Sequence, residues 1–373
     1  MKLIISALVS VFFAMPVVAS PVDDAVSAFN AAISSGEEAD QARTARNLIN
    51  AAIANPDADA STLIAFEGAW TLCRIDACNG AARGAEFAAS RPATGAHPLM
   101  ADRQLLAALA NWSEDDSRRT RNRLNDALKS VAPRRATRLS ATAYERRYES
   151  RMTKERYESA AVAANSAIEH LEPSKDSLPE QYVRARTAAI IATFYDDAEL
   201  EHLEAMTRLT GELGEQMLEA ATRGAPPVWL QDAYWRADAW RLVMETSFTR
   251  RRDTERAEEI ATLLDDYRSP LSIWTPSSAR PLCDGTFDMT PPIEYPRDAI
   301  RQGRYGAVLL GFDISNGRVL NARVLAAVPS ETFRTQALQT IRQWRWQAEA
   351  GSENGSCSMS RENVTVPIVF RIR

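Results

Sequence analysis

Histidine is scarce in this chain, with three among 373 residues. His97, His170 and His202 stand far apart, without the glutamate-histidine helix motif of zinc hydrolases, and each reads as a surface residue rather than a catalytic base. Also missing are a glycine-flanked serine at a strand-to-helix turn and a glycine-rich phosphate loop. Acidic pairs such as Asp115-Asp116 and Asp265-Asp266 read as solvated helix ends. These absences leave no catalytic residue, no metal ligand set and no cofactor, so the expectation is a protein that is not an enzyme. A basic field is lacking too. The net charge is −5; beyond residue 280 lie 11 of the 44 basic and 9 of the 49 acidic residues, leaving 33 and 40 upstream. Neither part carries the field that phosphate-backbone binding requires, which argues against a nucleic-acid partner.

Long apolar runs are missing except at the N-terminus. Residues 1–19 hold one lysine, the run Leu3 to Phe13, then Val17-Val18-Ala19 ahead of Ser20-Pro21. Small residues at the −3 and −1 positions predict a signal peptide cleaved after Ala19, with Pro16 breaking the helix just before it, and hence a periplasmic location. A retained membrane anchor is the competing reading, because an apolar run of about 17 residues is only just short of a spanning helix.

Residues 20–268 are rich in alanine, arginine and glutamate and show helical periodicity. Ala25, Phe29 and Ile33 open the first helix; Leu63, Phe66 and Trp70, then Leu105, Leu106 and Leu109, then Tyr157, Ala161, Ala164 and Ile168 recur at helical spacing. Breakers fall between them at Asn55-Pro56, Arg91-Pro92, His97-Pro98, Ala132-Pro133, Glu172-Pro173 and Pro226-Pro227. The result reads as a string of helix pairs, an irregular solenoid similar to tetratricopeptide arrays in spacing though without an intact repeat signature. Trp229, Tyr234, Trp235 and Trp240 read as helix-packing residues. A linker is predicted at 269–282, with Pro270, Pro276 and the adjacent Ser277 and Ser278.

Residues 283–373 change character. Tyr295-Pro296 predicts the start of a short helix that Gly303 can stop. Val308, Leu310, Phe312 and Ile314 alternate as a strand, and Leu320, Ala322 and Val324 as another, with Ser315-Asn316-Gly317 between. A two-residue turn would set Phe312 opposite Asn321. A three-residue loop with Gly317 left-handed sets it opposite Leu320 and keeps one apolar face, so that loop is predicted. Pro329-Ser330 caps a helix carrying Phe333, Ala337, Ile341 and Trp344. The last strand alternates through Val364, Val366, Ile368, Phe370 and Ile372, and Pro367, lacking an amide, puts it at a sheet edge. The fold class expected is therefore α+β, an N-terminal all-α solenoid-like region followed by a small domain with a three-stranded antiparallel sheet and helices.

These residues in this order resemble the C-terminal domain of the TonB family. The resemblance rests on Tyr295-Pro296 followed by Ala299, Gly303 and Gly306, on the Val308 to Ile314 strand with Asn316-Gly317 after it, on Ala337, on Trp344-Arg345-Trp346 at the place of a tryptophan-rich helix end, and on Val366-Pro367-Ile368-Val369-Phe370. It covers about the last quarter of the chain. The family's domain is a periplasmic unit that binds outer-membrane transporters, a short transporter peptide adding as a strand to the open sheet edge. The resemblance therefore implies a transporter peptide, or another periplasmic protein, as partner. The partner-binding residues expected are Tyr295, Pro296, Arg297 and Arg301 at the entry turn and Val364, Val366, Ile368 and Phe370 on the last strand. The chain departs from the long transducers of the family in having no histidine in residues 1–19 and no proline-rich rod, its 18 prolines being scattered. A scaffold or homodimer without transporter coupling is the alternative, since an open edge can pair with its own copy.

Four cysteines in a chain predicted to be exported are expected to pair. Cys73 and Cys78 lie five apart across a helix-helix turn, while Cys283 and Cys357 flank the terminal domain. Pairing within each set is predicted, and thiolate metal ligation is disfavoured because no second pair stands at zinc spacing.

Overall fold

The computed structural model describes residues 21–57, 60–92, 99–249, 258, 260–262, 264, 281–301, 304–329, 332–349 and 357–370. The expectations for residues 1–19, for the linker up to residue 280, and for His97, Gly303, Ser330 and Ile372 lie outside them. Main-chain contacts divide the chain into two compact units, Met1–Arg146 and Arg147–Arg373.

The first unit is helical: α1 (Pro21–Ser35), α2 (Glu38–Ala54), α3 (Ser61–Arg74), α4 (Ala82–Ala89), α5 (Arg103–Glu114), α6 (Arg118–Val131) and the start of α7 (Arg138–Thr153). The breakers read from the sequence fall where helices end: α2 stops before Asn55-Pro56 and α6 before Ala132-Pro133. Each helix from α2 to α6 packs on the one before it in sequence. The stacking is closest where Gly68 of α3 and Gly84 of α4 both face Ile49 of α2, whose Cγ1 would lie 2.8 and 2.7 Å from a Cβ added at those glycines. Cys73 and Cys78 are bonded at the end of α3.

The second unit continues α7 and adds α8 (Tyr157–Leu171), α9 (Pro179–Asp196), α10 (Leu200–Arg223) and α11 (Val228–Thr249). Alanines line one helix contact: Ala160 and Ala161 of α8 meet Ala192 of α9. Then come β1 (Gly285–Asp288), α12 (Arg297–Arg301), β2 (Gly306–Ser315), β3 (Arg318–Val328), α13 (Thr332–Ile341), β4 (Arg345–Ala348) and β5 (Arg361–Phe370). The sheet has five strands in the order β1-β4-β3-β2-β5, not the three expected. The two that were missed are four residues each, too short to show alternation. The Trp344-Arg345-Trp346 segment that read as a helix end leaves α13 behind at Ile341 and enters β4.

The hairpin turn is also different from the expectation. Ser315 pairs with Arg318, so the turn has two residues, and Asn316 and Gly317 both take positive φ, 48° and 73°. That is the turn whose twist matches a hairpin. The carbonyl of Trp346 would lie 2.7 Å from a Cβ at Gly317. The apolar register is recovered one step later, by a bulge. Asp313 pairs with Leu320 but Gly311 with Arg323, the extra residue on β3 falling at Asn321, whose φ is 52°. A second shift between Leu309 and Leu310 lets Val319, Ala322, Val324 and Ala327 all share the face of Val308, Leu310, Phe312 and Ile314.

Asp313 clasps two such irregularities. Its Oδ2 accepts from Asn321 Nδ2 at 2.8 Å and its Oδ1 from the amide of Asn363, the residue of positive φ in β5, at 2.9 Å. Partial burial pushes this carboxyl up, but the two hydrogen bonds, with Arg323 nearby, outweigh it and hold the group below the usual carboxylate range. A depressed native value means stabilisation that is complete above the ordinary aspartate range and is lost as pH falls through the native value. The resistance of the second unit to urea should therefore fall on acidification below about pH 4, and Asp313→Asn should flatten that slope while lowering stability at pH 7.

Both faces of the sheet are covered. On one, Phe333, Ala337 and Ile341 of α13 and Ala299 of α12 pack on Val308, Leu310, Phe312, Ile368 and Phe370. On the other, Ala307, Leu309 and Val328 join the core formed by α9, α10 and α11, with Leu325, Ala326 and Tyr305 at its margin. Tyr234, Trp235 and Trp240 are buried in that core, as helix-packing residues should be.

Candidate functional site

β5 is an edge strand of the sheet, as β1 is at the other end of the order. β5 pairs antiparallel with β2 from Gly306↔Phe370 to Ile314↔Arg361, and among the described residues no strand pairs its other side. Pro367, opposite Leu309, lies on the terminal strand as its missing amide required. Along β5 the side chains of Val364, Val366, Ile368 and Phe370 turn into the core with α12 and α13, Ile368 and Phe370 being buried. The side chains of these four expected partner-binding residues are therefore turned to the core and not out along the edge.

The entry turn lies at one end of this edge. Tyr295 places its ring edge-on to Phe370 and Phe333, at centroid distances of 5.6 and 6.0 Å, and its hydroxyl donates to the Arg304 carbonyl. Pro296 precedes the first turn of α12, its carbonyl accepting from the Ile300 amide at 3.1 Å. Tyr295 thus fixes the turn under the sheet, whereas Arg297 and Arg301 point outward; Arg301 approaches Asp298 at 3.8 Å with both side chains largely exposed. Beside them Ile300 is 49% exposed, an apolar side chain that periodicity did not single out. The structure so brings Tyr295 and Phe370 together and sets the two arginines on the surface next to them.

Trp344 and Trp346 are held from within. Their indole nitrogens donate to the carbonyls of Pro291 and Cys283, at 3.4 and 3.2 Å, and both rings lie against Phe287 of β1. Cys283 and Cys357 are bonded, so both pairs read from the sequence are present. Two histidines depart from the surface position expected of them. His170 and His202 are buried, and His202 Nε2 lies 2.7 Å from Asp197 Oδ1 across the turn between α9 and α10. Among the described residues, no three His, Cys, Asp or Glu side chains converge as metal ligands would, and no helix is long and apolar enough to cross a membrane.

Comparison with known proteins bears on this same stretch. Residues 291–372 match the family described as Gram-negative bacterial TonB protein C-terminal. The match takes in α12, β2, β3, α13, β4 and β5, and hence all eight residues expected at the site; β1, Cys283 and every helix up to α11 lie outside it. The chain is also 42% identical over 60 residues to Protein TonB of Yersinia enterocolitica. That stretch is 16% of this chain and 24% of the Yersinia protein, so the chain spans about a quarter of the length of the curated relative it matches.

Proposed function

We propose that this chain is a periplasmic, non-enzymatic binding protein whose TonB-like domain takes up an extended peptide of an outer-membrane transporter as a sixth strand on β5. The observation that carries the reading is the unpaired side of β5 in a domain matched by the TonB C-terminal family. Strand addition draws its affinity from main-chain hydrogen bonds, which suits an edge whose larger side chains are already committed to the core. Pro367 costs the β2 ladder nothing if its nitrogen faces outward, and by the two-residue period Thr365 and Val369 then present their amides and carbonyls outward with it. Tyr295 and Pro296 shape the end of the groove, with Arg297, Arg301 and Ile300 as the side chains available to read the peptide. The helical part would hold a second partner.

The test titrates the full chain with synthetic peptides from transporter N-terminal segments and follows tryptophan fluorescence and amide shifts. Thr365→Pro removes an outward amide and is expected to weaken peptide binding at least about tenfold, with the unfolding midpoint little changed. Val366→Pro removes an amide from the β2 ladder and should cost about 3 kcal/mol or more of stability. Pro367→Ala, which restores an edge amide, should bind at least as tightly as the parent. Peptide affinity that is indifferent to Thr365→Pro, or an edge occupied by a second copy in solution, would remove the proposal.

A further inference from the structure

Basic charge is concentrated on the outward face of α6 and in the turn that follows it, in a chain that is acidic elsewhere. Between residues 118 and 138 stand eight basic residues and one acidic, in a chain whose net charge is −5. Over the whole part up to residue 280 the acidic residues outnumber the basic, 40 to 33, so the concentration is local. Thr120, Leu124, Leu128 and Val131 form the buried face of α6, and Arg118, Arg119 and Arg123 lie exposed on the opposite one. Arg135 and Arg138 follow, exposed, at the turn into α7. Arg121, Lys129 and Arg134 pair with Asp116, Asp126 and Asp102, whereas the five named arginines have no ion pair among the described residues. On α9 and α10 the habit is different: Arg184, Arg208 and Arg223 each meet a glutamate one turn away, at 2.6, 2.9 and 2.5 Å.

Helix stability does not explain the arrangement. The first turn of α6 holds no acid and two arginines, cations placed at the positive end of the helix dipole, where they are unfavourable. A choice that opposes local stability without a compensating contact is the mark of a surface kept for a partner. We propose that this face docks on the surface of an anionic phospholipid bilayer, Arg118, Arg119, Arg123, Arg135 and Arg138 engaging lipid phosphates. Guanidinium forks match phosphate oxygens bidentately. On α6 three of them fall within about 7.5 Å of helix axis. The exposed large apolar side chains of the described chain all lie elsewhere, so the contact is adsorption to headgroups without insertion. It is a separate surface from β5 and does not depend on the peptide-binding reading.

The test measures binding of the full chain to vesicles of phosphatidylcholine with and without about one third phosphatidylglycerol, reading the difference between the two. Binding is expected to favour the anionic vesicles and to fall steeply as salt rises from about 50 to about 300 mM. R118Q/R119Q/R123Q should lose on the order of 100-fold, at roughly fivefold per arginine, and should melt no lower than the parent because two cations leave the N-terminal turn. R135Q/R138Q, in the turn and at the start of α7, should lose on the order of 25-fold and tests the contribution of these two arginines without touching α6. R184Q/R208Q/R223Q, which removes the same number of charges from paired arginines, should bind as the parent does. Equal affinity for both vesicle types, equal loss in the paired-arginine control, or tight binding to a 20-base-pair DNA duplex in the absence of vesicle binding overturns the proposal.

Discussion

Replacing Cys283 and Cys357 together by serine is expected to cost roughly 4 kcal/mol of stability in the second unit, the value that chain entropy assigns to a closed loop of this length. The bond joins residues 74 apart, so the loop it closes contains β1, β2, β3, β4, α12 and α13. It also sits on native structure that fixes both ends. The Cys283 amide donates to the Ser358 carbonyl at 3.1 Å, the Ser358 amide to Pro281 at 2.9 Å, and Leu282 bridges Ser358 in parallel. The same junction holds Trp346, through its indole donor, against β1. The bond between Cys73 and Cys78 spans a separation of only 5, for which the same reasoning gives roughly 2 kcal/mol. Urea unfolding of the two double-serine variants should therefore show the larger loss for Cys283 and Cys357, in the transition of the second unit. The smaller loss belongs to the first unit, because Cys73 and Cys78 both lie there. The opposite order would contradict the loop argument.

What could be read from the sequence divides along physical lines. Strong alternation found β2, β3 and β5, and Pro367 found the edge, because a missing amide is a local fact that no packing can override. The ends of α2 and α6 followed proline for the same reason. β1 and β4 were not legible: Gly285–Asp288 and Arg345–Ala348 acquire their strand character by pairing with each other, from Gly285↔Ala348 to Asp288↔Arg345. One apolar face is the constraint that governs the hairpin, and the chain meets it with a bulge instead of in the turn. Asparagine carried the missing signal. Asn316, Asn321 and Asn363 take positive φ, which asparagine tolerates better than most residues, and the latter two mark the irregularities on either side of Asp313. At the site, the alternation that located Val364, Val366, Ile368 and Phe370 is itself the reason that they face inward, so periodicity named the strand and not the atoms available to a ligand. Ile300 was missed because a single exposed apolar residue on a five-residue helix leaves no periodic trace.

The second face of β2 was hidden in a different way, and it leads to the other large effect. In Gly306–Ser315 the residues that alternate with the expected core set include Ala307 and Leu309, so the strand is apolar on both sides, as strands covered on both faces are. Leu309 is fully buried in the core built by α9, α10 and α11. Leu309→Ala is accordingly expected to cost about 3 kcal/mol, and Leu309→Asp more, since a carboxylate in that position has no partner to offset its desolvation. Hydrogen exchange should accelerate in α11 as well as in β2 and β3, because the altered side chain belongs to the helical core as much as to the sheet. A fragment starting at Pro281 meets the same physics from the other side. Without the helices it leaves Ala307, Leu309, Leu325, Ala326 and Val328 uncovered, and it should be largely unfolded or self-associated at concentrations where residues 147–373 are monomeric and folded. The discriminating result is reciprocal: Leu309→Asp should damage the chain that has α11 and improve the solubility of the fragment that lacks it. If the sheet were an independent body, the fragment would melt as it does in the full chain and Leu309→Asp would leave α11 protected. If the shared core holds, a peptide on β5 is coupled to α9, α10 and α11 through packed side chains, and any load on that edge is delivered directly to the helices.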